Sequence, residues 1–276
     1  MRRLTPSPWS PAASGPSPGH RGFSLVEMMV ALVVGMIVTT ALVAFMLASL
    51  KSNSDFAKGT RLTQELRFAM GFVSSELRRA GYDEDALGYA MQGASGTATS
   101  DFAPMLFLRD QNGDGVNDDA CIIYAYDRSP GDAGQVNLSN GEIRGIRLVR
   151  VTVDGVGNVG VLEMAESSAG VTPACADAAA DYGSYPPACT GSWCAVTDPK
   201  VLSVSAFTLG LGSVINVPGT ATAAPMQVRD VNVVLTGNPI GDAVATRSID
   251  SSIRVRADCM KATAACVVAP VQTGAN

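Results

Sequence analysis

The residue most open to chemical interpretation in this 276-residue chain is a single carboxylate in apolar surroundings. From Phe23 to Leu50, Glu27 is the only charged residue, and the segment contains no proline. A lone charge in a stretch long enough to cross a bilayer is costly, so its retention points to a function. A second group lies at Asp110, Asn112, Asp114 and Asp118, at relative positions 1, 3, 5 and 9 of one segment, with Gly115 at 6. Oxygen ligands at alternate positions converge on a hard cation in calcium loops, where position 7, here Val116, supplies its carbonyl. Position 12 is Cys121 instead of Glu, so the usual bidentate ligand is missing; Asp119, Asp101 and Asp127 are the nearby substitutes. The competing reading is an acidic turn between strands, because Asn, Asp and Gly are also turn residues. Calcium is the only cofactor that the sequence suggests.

The third group is the cysteines: Cys121, Cys175, Cys189, Cys194, Cys259 and Cys266, with none in the first 120 residues. Their even number and the export signal described below favour disulfides over buried free thiols. Cys189–Cys194 and Cys259–Cys266 are pairs local in sequence, which leaves Cys121–Cys175 as one choice among many connectivities. No CxxC occurs, which argues against a zinc ribbon or a thioredoxin-like site. The only histidine is His20. Without it the chain lacks the base of Ser-His-Asp and Cys-His catalysis and the usual zinc ligands, so an enzyme is not expected.

The element that carries Glu27 is the apolar run itself. Its 28 residues would span about 42 Å as a helix, more than the hydrocarbon core of a bilayer. A simple membrane anchor and a secretory signal peptide are the alternatives. The run is too long for a signal h-region and has no small-x-small cleavage site after it. Residues 1–22 are interrupted by Pro6, Pro8, Pro11, Pro16 and Pro18 and read as a leader, not as structure. That stretch holds Arg2, Arg3 and Arg21 and no acidic residue; its removal leaves 17 basic against 25 acidic residues, about −8. Phosphate-based binding of nucleic acid is not expected of such a chain.

Gly22-Phe23-Ser24-Leu25-Val26-Glu27 resembles the prepilin motif of type IV pilins and type II secretion pseudopilins. In that family a membrane peptidase cuts after the glycine and methylates the new N-terminus. The resemblance implies cleavage between Gly22 and Phe23, N-methylation of Phe23, and Glu27 at the family's acidic fifth position. Glu27 of one subunit would neutralise the terminal amine of a neighbour where unpaired charge is expensive, setting the register of a filament. The leader is longer and richer in proline than the family's common short basic form.

Proline is absent from Phe23 to Ala103, and after Leu50 the chain turns polar. Leu62, Leu66, Ala69, Met70, Val73 and Leu77 form a stripe at helical spacing, and Gly81 is a plausible stop. One long helix is expected over 23–80. Its first part, 23–50, would lie in membrane or filament core, and its amphipathic part, 51–81, would pack on a domain formed by 82–276. The string Glu76-Leu77-Arg78-Arg79-Ala80-Gly81-Tyr82 resembles the end of the long helix in PilW-type minor pilins. Arginines at a helix C-terminus are also favoured by the dipole alone, so the string can mark a subfamily without being a binding site.

Beyond residue 100 the pattern becomes β, with candidate strands at 102–108, 120–126, 143–153, 159–164, 201–209, 226–235 and 247–257. Alternation at Ile146-Arg147-Leu148-Val149-Arg150-Val151 suits an antiparallel sheet with one face on the helix and one toward solvent or a partner. Gly- and Pro-rich stretches at 93–100, 129–141, 167–192 and 210–225 read as loops. The expected fold class is α+β: a type IV pilin-like long N-terminal α-helix packed on an antiparallel β-sheet domain with disulfide-stabilised loops. The long segment 167–199, with Tyr182, Tyr185 and Trp193, could serve as an adhesive or ligand-binding surface.

The resemblance implies a minor type IV pilin that helps initiate pilus assembly in a tip complex. Its partners would be other minor and major pilins and the prepilin peptidase. It would sit in the inner membrane by one span, with the domain in the periplasm, before entering the filament at the cell surface. The rival within the same superfamily is the J-type minor pseudopilin of type II secretion.

Overall fold

The computed structural model describes residues 22–91, 100–108, 110, 111, 113–116, 118–129, 135–220, 226–242 and 245–260. Helix α1 spans Leu25–Leu77 and divides between two compact units, Met1–Ser54 and Asp55–Asn276. From Leu25 to Leu50 the helix carries apolar residues on every face with Glu27 as its one charge, and every residue from Gly22 to Leu50 is exposed. A helix of that kind needs lipid or neighbouring helices to cover it. The leader expected over 1–22 lies, Gly22 apart, outside the described residues.

In the second unit α1 buries the stripe Leu62, Leu66, Ala69, Met70, Val73 and Leu77, the face expected from the spacing. Each fully buried leucine contributes roughly 1.5–3 kcal/mol. The helix ends at Leu77, not at 80, because the final turn tightens: the Arg79 and Ala80 N–H groups reach back only three residues, to Glu76 and Leu77. Gly81 then adopts φ 76°, and its N–H donates to the Ala125 carbonyl at 2.7 Å, handing the chain from helix to sheet. A short helix, α2 (Ala86–Ala90), follows.

The stripe packs on two antiparallel sheets, where one was expected. The first runs in the order β1 (Met105–Leu108), β2 (Cys121–Ala125), β3 (Ile143–Val153), β4 (Val156–Glu166) and β5 (Trp193–Ala195). The β3–β4 hairpin turns on Asp154-Gly155, both at positive φ, the signature of a two-residue primed turn. The second sheet is β6 (Leu202–Val217), β7 (Met226–Pro239) and β8 (Arg247–Arg254), with β9 (Cys259–Met260) also on β7. Ile122, Ile146, Leu148 and Leu162 of one sheet and Val204, Phe207, Val231 and Leu235 of the other share a core with α1.

β6 continues to Val217 through the stretch 210–225 that reads as a loop. Gly210 pairs in register with Asn232, Gly212 falls at a register shift between Leu211 and Val214, and the β-branched Val214, Ile215 and Val217 pair with β7 beyond it. The sheets meet at Gly160 of β4, whose N–H donates to Ser203 Oγ at 3.1 Å. A Cβ at this position would lie 1.8 Å from the Val204 carbonyl oxygen, so the contact is main chain against main chain and admits only glycine.

Candidate functional site

The apolar helix handles its polar groups internally. Thr39 Oγ1 donates to the Gly35 carbonyl at 3.0 Å, and Thr40 Oγ1 donates to the Met36 carbonyl at 2.5 Å. Hydroxyls satisfied inside the helix carry little cost in an apolar medium. Glu27 is different. It lies in the first turn of α1, where the helix dipole favours an anion, and its charge has no partner among the described residues of this unit. Phe23 precedes it in extended chain, 79% exposed. Gly22 and Phe23 are both exposed, four to five residues before Glu27.

The 76–82 string divides by direction. Glu76, Leu77 and Ala80 point inward and are buried. Tyr124 OH donates to Glu76 Oε2 at 2.9 Å, and Arg144 lies 3.4 Å from the same oxygen, which ties the end of α1 to β2 and β3. Arg78, Arg79 and Tyr82 remain exposed. Packing therefore accounts for half of the string and leaves the other half at the surface.

The first sheet departs most from its sequence pattern at Arg147. Alternation with Ile146 and Leu148 places it on the side expected to face solvent, yet it is fully buried. The segment 167–192 folds over that face. Arg147 Nε donates to Glu163 Oε2 at 2.9 Å, and Nη2 lies 2.8 Å from the same oxygen. Nη1 donates to the carbonyls of Cys175 and Asp177, each at 2.7 Å, and Nη2 donates to that of Ala178 at 2.9 Å. The guanidinium thus makes four hydrogen bonds and a close ion pair. The Trp193 ring stacks 3.9 Å from the guanidinium carbon. Glu163 Oε1 in turn accepts from the Ala180 N–H and the Tyr182 hydroxyl.

Cys121 is bonded to Cys175 and Cys189 to Cys194, the two pairs expected for these four cysteines. The first closes a separation of 54 residues and holds the segment against β2, a constraint worth about 2–4 kcal/mol. Cys259 opens β9, but its side chain and Cys266 lie outside the described residues, and so does their expected bond. Of the three aromatics proposed as a contact surface, Trp193 and Tyr182 are buried around Arg147, and only Tyr185 is exposed. The signal that could have found this arrangement was Arg147 opposite Glu163, side by side once β3 and β4 are paired.

Burial holds the phenols of Tyr124 and Tyr182 above their ordinary value, with the charges of Glu76 and Glu163 adding to it. A raised folded-state value means the contribution is complete below the unfolded value near 10 and is lost as the pH rises through the folded value. The denaturant midpoint is therefore expected to hold between pH 7 and 9 and to fall above pH ~10. A midpoint flat to pH ~11.5 refutes this account of the two tyrosines.

In the loop 110–119 the Asp110 carboxylate is buried. It accepts from the N–H groups of Gly113, Asp114 and Gly115 at 2.7, 3.2 and 2.7 Å. Asp114 Oδ1 accepts from the Val116 N–H at 2.8 Å. Asp118 pairs with Arg150 at 2.8 Å, its carbonyl accepts from the Phe207 N–H, and the loop thereby joins the two sheets. Asn112 lies outside the described residues. Among the described residues, no three acidic or sulfur side chains converge as a metal set.

With this geometry in view, the comparisons fall on both halves of the chain. Residues 18–43 match the prokaryotic N-terminal methylation motif, and residues 55–255 match prepilin peptidase-dependent protein B. The chain belongs to the prepilin peptidase-dependent protein B family. Comparison with curated proteins and with solved structures gave no match. Membership makes this a type IV pilin-like protein, of a structural kind, and implies processing by the prepilin peptidase. The family match begins at Asp55, the residue at which the second compact unit begins. Helix α1 is long and apolar enough to cross a membrane, with a mean hydropathy of 2.6 in its most apolar window.

Proposed function

We propose that this chain is a PilW-like minor type IV pilin, cut between Gly22 and Phe23, N-methylated on Phe23, and used to start pilus assembly within a tip complex. The observation that carries the reading is Glu27, the single charge in the exposed, mostly apolar segment 23–50 that leads into a family-matched β domain. Before assembly the helix would rest in the inner membrane with the domain in the periplasm; afterwards it would pack among major and minor pilins. A deletion strain is expected to lose surface pili and twitching while secreting exoproteins normally. Normal piliation with failed secretion would transfer the chain to the J-type pseudopilins.

An adhesive tip role receives less support, because the loop at 167–199 keeps only Tyr185 of its aromatics at the surface. Calcium at Asp110, Asn112, Asp114, Val116 and Asp118 stays part of the proposal. The turn that Asp110 organises brings the Asp114 carboxylate into one short loop with it. Calorimetric titration is expected to show binding below about 1 mM Ca2+, and its absence at that concentration removes the metal.

A further inference from the structure

Arg78, Arg79 and Tyr82, the outward half of the 76–82 string, do not stand alone at the surface. They line a cavity of about 450 Å³, within the range of small-ligand sites. Arg128, Arg144 and Arg256 complete its cationic wall, so five of the chain's arginines surround one opening in a protein of net charge −5. Tyr82 supplies the open aromatic face, while the buried Tyr126 lines the cavity beneath the Arg144 guanidinium, which lies 5.3 Å over its ring.

The charges do not cancel. Arg144 is held by Glu76 and Glu166, Arg79 by Glu76, and Arg128 by Glu166 at 3.5 Å. Among the described residues Asp127 is the only carboxylate in the lining, and its oxygens accept from the N–H groups of Glu84 and Ser129. Among the described residues, five guanidiniums stand against these three carboxylates and the buried Glu142, whose Oε1 accepts from the Arg128 N–H at 3.3 Å, an excess of one positive charge. Arg78 and Arg256 are the two whose side chains make no ion pair or hydrogen bond among the described residues. Both are exposed, and the Arg256 N–H donates to the Arg78 carbonyl at 3.3 Å, which keeps the two residues adjacent. Neither serves the core, so packing does not explain why either is arginine.

The geometry points to a recognition site for a carboxylate-bearing peptide segment of a partner subunit. Guanidinium forks match carboxylates in pairs of parallel hydrogen bonds. The exposed Tyr82 ring suits the methylene stem of a glutamate or the last side chain of a C-terminus, surfaces that a free inorganic anion does not offer. The site rests on the proposed setting among partner subunits, and it gives the 76–82 string a role beyond ending a helix.

The test uses the full-length processed chain in detergent micelles and the peptide acetyl-Glu-Glu-Glu-Glu-amide, followed by calorimetry and tyrosine fluorescence. Saturable binding is expected below about 1 mM, weakened at least about tenfold by the double substitution Arg78→Ser, Arg256→Ser. Because both residues are exposed, the double variant is expected to keep the parent's thermal melt. Raising salt from about 50 to about 500 mM is expected to weaken binding as well. No saturation, an unchanged affinity in the double variant, equal binding of the lysine counterpart, or displacement by equimolar inorganic phosphate would each overturn the proposal; the last would make it a phosphate site. If the double variant melts early, Arg78→Lys with Arg256→Lys keeps the charge but not the fork and is expected to bind measurably, more weakly than the parent; failure to bind overturns the site. The titration does not depend on where the chain works, so its failure leaves the pilin reading standing, and failure of the piliation experiment leaves the titration standing.

Discussion

Arg147→Ala is expected to lower the stability of the β domain by about 3–5 kcal/mol. The substitution strands Glu163 as an unpaired charge with no solvent exposure and leaves three loop carbonyls without their donor. It also uncovers the face of Trp193. A domain of this size has only about 5–15 kcal/mol in total, so such a loss shows directly in a urea titration. Arg147→Lys is expected to fall between parent and alanine, since one ammonium cannot reproduce five donors in a fixed fork. The Cys121–Cys175 bond still tethers the segment, so the first visible consequence is protease cleavage within 176–188, ahead of global unfolding. A change below about 1 kcal/mol in the alanine variant would show that the clamp contributes no more than an ordinary surface pair.

The second large effect concerns assembly instead of folding. Under the proposed function, Glu27→Ala leaves cleavage between Gly22 and Phe23 intact, because the peptidase acts upstream of the changed residue. Incorporation into filaments is expected to fall at least about a hundredfold. An amine left without its counter-ion in a low-dielectric bundle costs roughly 3 kcal/mol or more. Immunoblots of membranes, for the processed size, and of sheared pili, for incorporation, separate the two steps. Glu27→Asp tests geometry at constant charge and is expected to retain partial incorporation. Processed Glu27→Ala chains appearing in filaments at the parent's level would remove the register role.

Much of this was legible in the sequence where the signal is local. The stripe from Leu62 to Leu77 is a period-3.6 pattern over a proline-free segment, and β3 is a run of alternating residues ended by Asp154-Gly155. The prepilin motif and its single carboxylate lie within six consecutive residues, and the family match agrees with them. What was not legible depends on pairing at a distance. Alternation identifies two faces of β3 but not what covers each, so Arg147 reads as solvated until β5 and the 167–192 segment are in place. Trp193 reads as a loop aromatic because its strand is only three residues long. Gly210, Gly212 and Ser213 interrupt β6 in composition, while their strand is sustained by β7. The division into two sheets likewise rests on which strand β6 chooses as a neighbour, and no single strand's residues encode that.

The way Arg147 holds the covering segment has a consequence for variation. It grips the carbonyl oxygens of Cys175, Asp177 and Ala178, groups that every residue type carries. The grip is therefore blind to the side chains at Ala176 and Ala178, both of which face outward. Asp177 is the exception, since its carboxylate accepts from the Trp193 indole N–H and the Ala174 N–H. Positions 176 and 178 are thus free to drift, or to be rewritten with foreign residues for display, without loosening the anchor beneath them.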